Sequence, residues 1–551
     1  MSAAHLFTSL ALFGMTIVAP LNAHAEGVPI APGAQSAGQF GTVRFPTSCT
    51  PAAQGQFERA VAILHSFDYS RTVPAFKAVL EADPQCAIAY WGIAIAQRPN
   101  PLVGPYDEAT LKRGLEAVRQ GLALGPKTER ESDWLRAMEW FYKDYDKVSQ
   151  PERTLAYEQA MGRLSAKYPQ DTEAAIFYAL ALNEAAPHSD KTYAKQRKAG
   201  AILERIYSSQ PNHPGIAHYL IHSYDCTALA QRGLPFAQKY ASIAPDAPHA
   251  LHMPSHTYSM LGMWAESVQS NARALDVMVQ VAAKVWPGAT HPGAPHSWDF
   301  MEYAYLQMGH DKHAVEVRDQ AGVVRKFPID PLTVQTALAA IPARYALERG
   351  AWKEAAALEP RGSRFPQAEA ITYFARALGS ARSGDAAGAQ ANIDRLRELR
   401  SLLEKANQPY WVAQTEAQIL ATSAWAALAQ GKDQEALSLI GKAANLEDAS
   451  EKDVAMENRL YPMRELLGEL LIELKQPKAA SREFEASLRS APNRLRSLYG
   501  AAKAAHMAKD DVTAARYFDK LVILTADADT ERPEIQEARH YGEKAKSASI
   551  N

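Results

Sequence analysis

From about Gln56 onward, apolar residues recur at helical spacing in consecutive pairs of segments, separated by short polar, Pro or Gly punctuation. The clearest stretch is LLGELLIELKQPKAASREFEASLRSAPN, where Gly468, Ala480, Phe484 and Pro492 stand at offsets of 0, 12, 16 and 24. Ala502, Ala514 and Phe518 repeat the first three offsets 34 residues later, and Ala424, Ala436, Ile440 and Asp448 show all four upstream. Such spacing has a physical cause. Small residues let the two helices of a hairpin approach, a larger side chain fills the gap between hairpins, and Pro or Asp stops the second helix. No single hairpin buries its apolar face alone, so the pattern predicts a stack.

These are the offsets of a tetratricopeptide repeat. The expected fold class is therefore all-α, a TPR-type α-solenoid in which antiparallel helix pairs wind into a right-handed superhelix. Similar units fall near 57–84, 87–125, 130–168, 171–211, 213–245, 248–280, 296–328, 333–358, 367–402 and 410–448. We expect an N-terminal array over 56–328 and a C-terminal array with a helical cap over 329–551. Residues 26–55 lack periodicity and are rich in Pro, Gly, Ser and Ala, which predicts an extended arm. The Trp286–Pro295 stretch breaks the period and is expected to fold over the groove.

Ahead of the arm, an apolar run from Leu6 to Val18 precedes Ala23-His24-Ala25, the small-x-small pattern of a signal-peptidase site. Residues 1–25 are expected to be a signal peptide cut after Ala25, and the protein to be periplasmic or secreted. No later run reaches the ~18 apolar residues of a membrane span, so no membrane insertion is expected. Lys and Arg total 59 against 61 Asp and Glu, a net charge of -2, which gives no electrostatic footprint for nucleic acid. Of the three cysteines, Cys49 and Cys86 sit at the edges of the first helical pair and could bridge, leaving Cys226; three buried thiols is the other reading.

Two adjacent units read HPGIAHYLIHSYDC (213–226) and HALHMPSHTYSM (249–260), and their histidines superimpose under the period: His218 on His252, His222 on His256. Each pair is spaced i, i+4, which places both imidazoles on one helix face. The register puts that face on the concave groove, so four imidazoles should share one cavity. The next unit, HSWDFMEYAYLQMG, aligned through Gly309 with Gly262, puts Asp299 where His252 stands, Tyr303 where His256 stands and His296 where His249 stands. His249 and His296 are expected at the rim. Glu184, Asp225, Cys226 and Met260 lie further along the same faces, and Pro254, between His252 and His256, predicts a kink.

Neutral imidazole is the commonest transition-metal ligand, so these residues predict a divalent or transition metal ion held by His218, His222, His252 and His256, assisted by Asp299 or Glu184, with His249 and His296 nearby. Copper or zinc suits an exported protein. In an enzyme acting on a small molecule, Tyr303, Asp225 or Glu302 could serve as acid, base or hydrogen-bond donor; metal handling is the other use. Neither pair carries the Glu of the zinc-protease motif, and the chain has no nucleotide loop or nucleophile elbow. Two readings compete: a groove for a peptide or small polar ligand in a non-catalytic scaffold, with an envelope protein as partner, and histidines that simply pack. His65 stands alone in its repeat and is expected to pack.

Over roughly 50–310, LHSFDY, DPQCAIAYWG and HMPSH resemble exported bacterial tetratricopeptide proteins and the family of tetratricopeptide repeat protein 38. The resemblance implies a right-handed superhelix and peptide or protein binding in the groove, and it carries over no catalytic residue. Peptide-binding members place Asn, Lys and Arg in the groove, where this chain has His, Asp and Tyr.

Overall fold

A computed structural model describes residues 38–457 and 459–550, with side chains through Glu543. The expected signal peptide, residues 1–25, lies outside the described residues, as does the first part of the arm. The described residues form helices joined by short turns, with no strand among them.

The helices pair in chain order. Pro51–His65 packs on Tyr69–Ala82, Ala89–Ile95 on Glu108–Leu124, Glu129–Tyr142 on Gln150–Lys167, Thr172–Glu184 on Ala194–Tyr207 and Pro214–Ser223 on Ala230–Ile243. A divided helix, Pro248–His252 and Pro254–Leu261, packs on Trp264–Val285, followed by Ala294–Met308 with Asp311–Val323 and Leu332–Glu348 with Trp352–Ala356. Pro366–Arg382 with Ala386–Lys405, Pro409–Ala429 with Asp433–Asp448, Met463–Glu473 with Pro477–Ser490 and Leu495–Met507 with Asp511–Leu524 complete the series, and Pro533–Ile550 caps it. The chain is an all-α solenoid of tetratricopeptide-type hairpins.

The small-and-large rule that encodes the stack is visible in contact. A Cβ at Gly468 would stand 2.9 Å from the Phe484 ring, and one at Gly500 only 2.2 Å from it, so both glycines make room for that aromatic. Phe484 is buried, which contributes on the order of 2–3 kcal/mol. Helix starts are set locally: Ser149 and Glu152 form a capping box, and Asp107 and Asp171 accept from the third backbone N–H of their helices. Cys49 and Cys86 are joined by a disulfide that ties the start of the first hairpin to the start of the second.

The solenoid closes on itself. Gly262 and Gly309, both left-handed helix caps at φ 68° and 74°, lie against the C-terminal repeats; a Cβ on Gly262 would meet the Pro492 carbonyl at 2.4 Å. Trp264 donates its indole N–H to the Asn493 carbonyl at 2.9 Å, and the Gln307 side chain accepts from the backbone of Leu495 at 2.9 Å. Arg494, fully buried, knots the closure by donating to Glu465, Glu348 and the Tyr303 hydroxyl at 2.6–2.9 Å. Residues 449–457 then run through the interior of the curve, where Thr336 donates to the Ala455 carbonyl and Lys452 reaches Asp225. The groove at the histidines is therefore roofed by a segment that reaches Asp225 from 227 residues away in sequence.

Candidate metal centre

The proline at 254 divides its helix as its missing N–H requires. Met253 keeps helical angles of φ -53° and ψ -34°, its N–H still bonds to the His249 carbonyl, and the ladder resumes only with His256 bonding to Met253. The helix Pro214–Ser223 starts with His213 as its N-cap, whose Nδ1 accepts from Ile216 at 3.3 Å, and with Pro214 at its first position.

The six histidines form two sets of three rather than one set of four. His218 and His222 of Pro214–Ser223 meet His249, from the first turn of the next hairpin; His252 and His256 meet His296, from the first turn of the hairpin after that. Within each set one ring nitrogen from every residue lies within 4.8 Å of the others. The sets are repeat images of each other: an i, i+4 pair plus one histidine from the following unit. His249 and His296 thus leave the rim for the third corner, because the N-terminal turn of each hairpin packs beside the first histidine of the pair before it, with ring centroids 4.9 Å apart in both sets. The repeat alignment of His249 with His296 was the signal for this.

Ring orientation is fixed from outside. His218 Nδ1 donates to the His65 carbonyl at 2.6 Å, His252 Nδ1 donates to Asn271 Oδ1 at 2.6 Å, and His256 Nδ1 donates to Asp225 Oδ2 at 2.9 Å. The Asn271 amide is oriented by its own donation to the Ser267 carbonyl at 2.8 Å, so its oxygen must face the imidazole. Neutral rings that donate through Nδ1 present bare lone pairs at Nε2. Yet the Nε2 atoms of His252 and His256 face each other at 3.1 Å, whereas at the same distance His249, whose Nδ1 has no fixed acceptor among the described residues, can donate its Nε2–H to His218 Nε2. In addition, His222 Nε2 and His296 Nδ1 are buried without a hydrogen-bond partner among the described residues.

A proton could relieve two facing lone pairs, but the environment opposes it. Burial first, then the other imidazoles, hold His218, His222, His249 and His296 well below the usual imidazole range. His252 is pushed down to about 3 by burial and by His256, against the Asn271 hydrogen bond. His256 is lowered by burial although Asp225 opposes it. Asp225 stays ionised: burial raises it, but Lys452 at 3.3 Å and His256 more than offset that. A metal cation between the nitrogens of His252 and His256 would relieve their facing lone pairs. Two nitrogens 3.1 Å apart subtend about 98° at an ion with bonds near ~2.05 Å, inside the range of tetrahedral and trigonal sites.

A third cluster makes the contrast. His65 Nε2 and His213 Nε2 both donate to the buried carboxylate of Glu173, at 2.9 and 2.7 Å, while His65 Nδ1 accepts from the Tyr219 hydroxyl and His213 Nδ1 from Ile216. Every nitrogen there is satisfied, so it is a packing network. His65 packs as expected, and its backbone carbonyl orients His218, a role no side-chain motif announces.

The carboxylates expected to assist are held elsewhere. Asp299 accepts from Arg344 Nε at 2.9 Å, and Glu184 forms a buried pair with Arg98 at 2.7 Å. Both are acidic positions claimed by an arginine that sequence spacing does not reveal. Of the expected catalytic groups, Tyr303 accepts from Arg494 in the closure knot, and Glu302, whose carboxyl burial and then Asp299 raise well above the usual carboxylate range, is buried with no hydrogen-bond partner among the described residues. Asp225 alone reaches the site, as the acceptor that orients His256. Cys226, whose thiol burial pushes up to about 12, joins neither set, and the Met260 sulfur faces the Thr227 hydroxyl.

His222, His249, His256 and His296 open onto a cavity of about 440 Å³ walled by Phe67, Tyr69, Tyr106, Trp286 and Phe365. Trp286, His291 and Pro292 bring the period-breaking stretch to that cavity. Phe67, at φ 50°, stacks on His249 and His222 with centroids 5.4 and 5.9 Å apart, a left-handed conformation that an aromatic residue rarely adopts. No helix among the described residues is long and apolar enough to cross a membrane.

No protein-family model and no curated protein matches the chain. Among solved structures it is similar to a human IFIT1 dimer with m7Gppp-AAAA, at 12% identity over 80% of this chain and 90% of that one, TM-score 0.37. A human IFIT1 dimer with PPP-AAAA gives 13%, 84%, 95% and 0.38, and the APC/C hetero-tetramer Cut9-Hcn1 gives 12%, 90%, 90% and 0.32. At these values the likeness says nothing about what this chain binds.

Proposed function

We propose that this protein is an exported helical-repeat protein whose histidine-lined floor holds a transition metal, copper or zinc, and brings it to a small, largely apolar molecule in the adjoining cavity. The observation that carries this reading is the pair of facing Nε2 atoms of His252 and His256, 3.1 Å apart, each ring committed through Nδ1 to a separate acceptor. Metal-bound histidines are held in this way by an outer set of carbonyl and carboxylate acceptors. Four of the six histidines border the cavity, so a metal there keeps a position open to a ligand. Asp225 acts in this scheme as a positioning residue for His256. Export is supported by the leader-like residues 1–25 and by the Cys49–Cys86 disulfide, since such bonds persist in oxidising compartments.

The competing reading, a non-catalytic scaffold for an envelope partner, draws support from the hairpin architecture, which commonly presents a groove to partners. Against it, the groove beside the histidines is taken by residues 449–457. Metal analysis of the full chain purified after export separates the two. Copper or zinc in the wild type, lost in the double variant His218→Ala/His252→Ala with the helical circular-dichroism signal retained, supports the metal centre. Wild type that takes up neither metal but retains a specific protein partner supports the scaffold.

A further inference from the structure

We infer that the site is a dinuclear copper centre, one ion in each histidine set, the two sharing a small anionic oxygen ligand such as hydroxide drawn from the cavity. The inference rests on the reading of these histidines as metal ligands and adds to it the number of ions, their identity and the class of bridging ligand.

The count follows from the geometry. Neither set can donate fully to an ion seated in the other, because three nitrogens already converge in each within 4.8 Å. The sets nevertheless abut: ring centroids are 5.9 Å apart from His249 to His252 and 6.0 Å from His222 to His256, no more than the 6.3 Å between His222 and His249 inside one set. Rings of the two sets in this close contact allow an ion in each to share one bridging atom, which in two-metal sites takes a separation of about 3.5–4 Å. His222, His249, His256 and His296 all border the cavity, so both ions are open toward the same space and the bridge has a route in.

The identity follows from charge and ligand type. Among the described residues neither set contains a carboxylate, and the one carboxylate behind them, Asp225, is already neutralised by Lys452 at 3.3 Å. Hard ions that prefer oxygen, such as magnesium, calcium and manganese, have nothing to bind, and the carboxylate of the common non-haem iron site is missing. Two divalent ions would bring four positive charges into a buried, uncharged shell. Two copper(I) ions bring half as much and accept three imidazoles without a fourth ligand; as copper(II), they require an anion between them, which is the bridge. Zinc also fits three imidazoles but has no lower-charge state in which two neighbouring ions can be accommodated without an anion.

The test loads the metal-free protein with copper(I) alone, without oxygen, and then removes one electron per copper with ferricyanide, water entering as the hydroxide bridge and its proton passing to buffer. Copper per chain and the double-integrated copper(II) paramagnetic-resonance signal are measured. The expected result is two copper per chain with a signal well below the copper content, because bridged copper(II) ions couple. His222→Ala in one set and His296→Ala in the other should each fall to one copper per chain with a signal equal to it; either variant suffices if the other misfolds. One copper per chain in the wild type with a full signal overturns the dinuclear centre and leaves the metal reading standing. Two copper with a full signal overturns the bridge, two zinc but fewer than two copper overturns the choice of metal, and no uptake of either metal sinks the proposed function as well.

Discussion

Replacing Asn271 by Leu isolates the one feature on which the chemistry turns, the tautomer of His252. In the wild type, Asn271 Oδ1 holds the imidazole proton on Nδ1 at 2.6 Å, leaving the lone pair on Nε2. With the acceptor gone, the proton moves to Nε2, where the lone pair of His256 accepts it at 3.1 Å. Metal binding then requires returning the proton to Nδ1, where only the Ser297 hydroxyl remains, at 3.4 Å. A buried N–H left without a good partner costs about 1–3 kcal/mol, which corresponds to an affinity loss of about 5- to 150-fold. The metal-free protein should lose far less, since the new His252–His256 hydrogen bond contributes about 0.5–1.5 kcal/mol. Chelator-competition titration of copper and zinc against wild type, Asn271→Leu and Asn271→Asp measures the effect, and imidazole 15N shifts read the tautomer. Asn271→Asp, which keeps the acceptor, should bind at least as tightly as the wild type. Affinity of the Leu variant within twofold of wild type would refute the lone-pair argument.

Three further outcomes follow from the fold. Arg494→Met should lower unfolding free energy by about 3–5 kcal/mol in denaturant titrations, because Glu348 is left a buried carboxylate without its cation and Glu465 keeps only the Ser497 hydroxyl and Arg496 at 4.0 Å; adding Glu465→Gln and Glu348→Gln should recover part of it. Glu469, which burial raises but Arg496 and Arg382 bring down to about 2, contributes stability that is complete above pH about 4.5 and lost as pH falls toward 2. That loss is at most about 3 kcal/mol, and Glu469→Gln should flatten the acid limb of a stability-against-pH curve. Reducing the Cys49–Cys86 disulfide, which closes 37 residues, should cost about 4 kcal/mol in the chain-entropy account, and the paired Ser variants should match the reduced protein.

What the residues alone determined is local and periodic. Helix type, hairpin pairing and stacking are written in spacings such as Gly468, Ala480 and Phe484, because each hairpin contacts its sequence neighbours and repeats the same fit. The same register found the histidine pairs 218/222 and 252/256, and the missing N–H of Pro254 placed the break between the latter two. How the histidines divide was decided only when three dimensions set His249 beside one pair and His296 beside the other. Sequence likewise could not show that Arg344 and Arg98 claim Asp299 and Glu184. Nor could it show that Asn271 and the His65 carbonyl turn the rings, or that Lys452 arrives from the far end of the chain. Some of these pairings lie within one hairpin or between neighbours, as Asn271–His252 and Arg344–Asp299 do, and depend on side-chain direction; the arrival of Lys452, 227 residues from Asp225, is created by the closure of the solenoid. Periodicity specifies the contacts between successive hairpins and carries no information about contacts between hairpins that meet only because the curve closes.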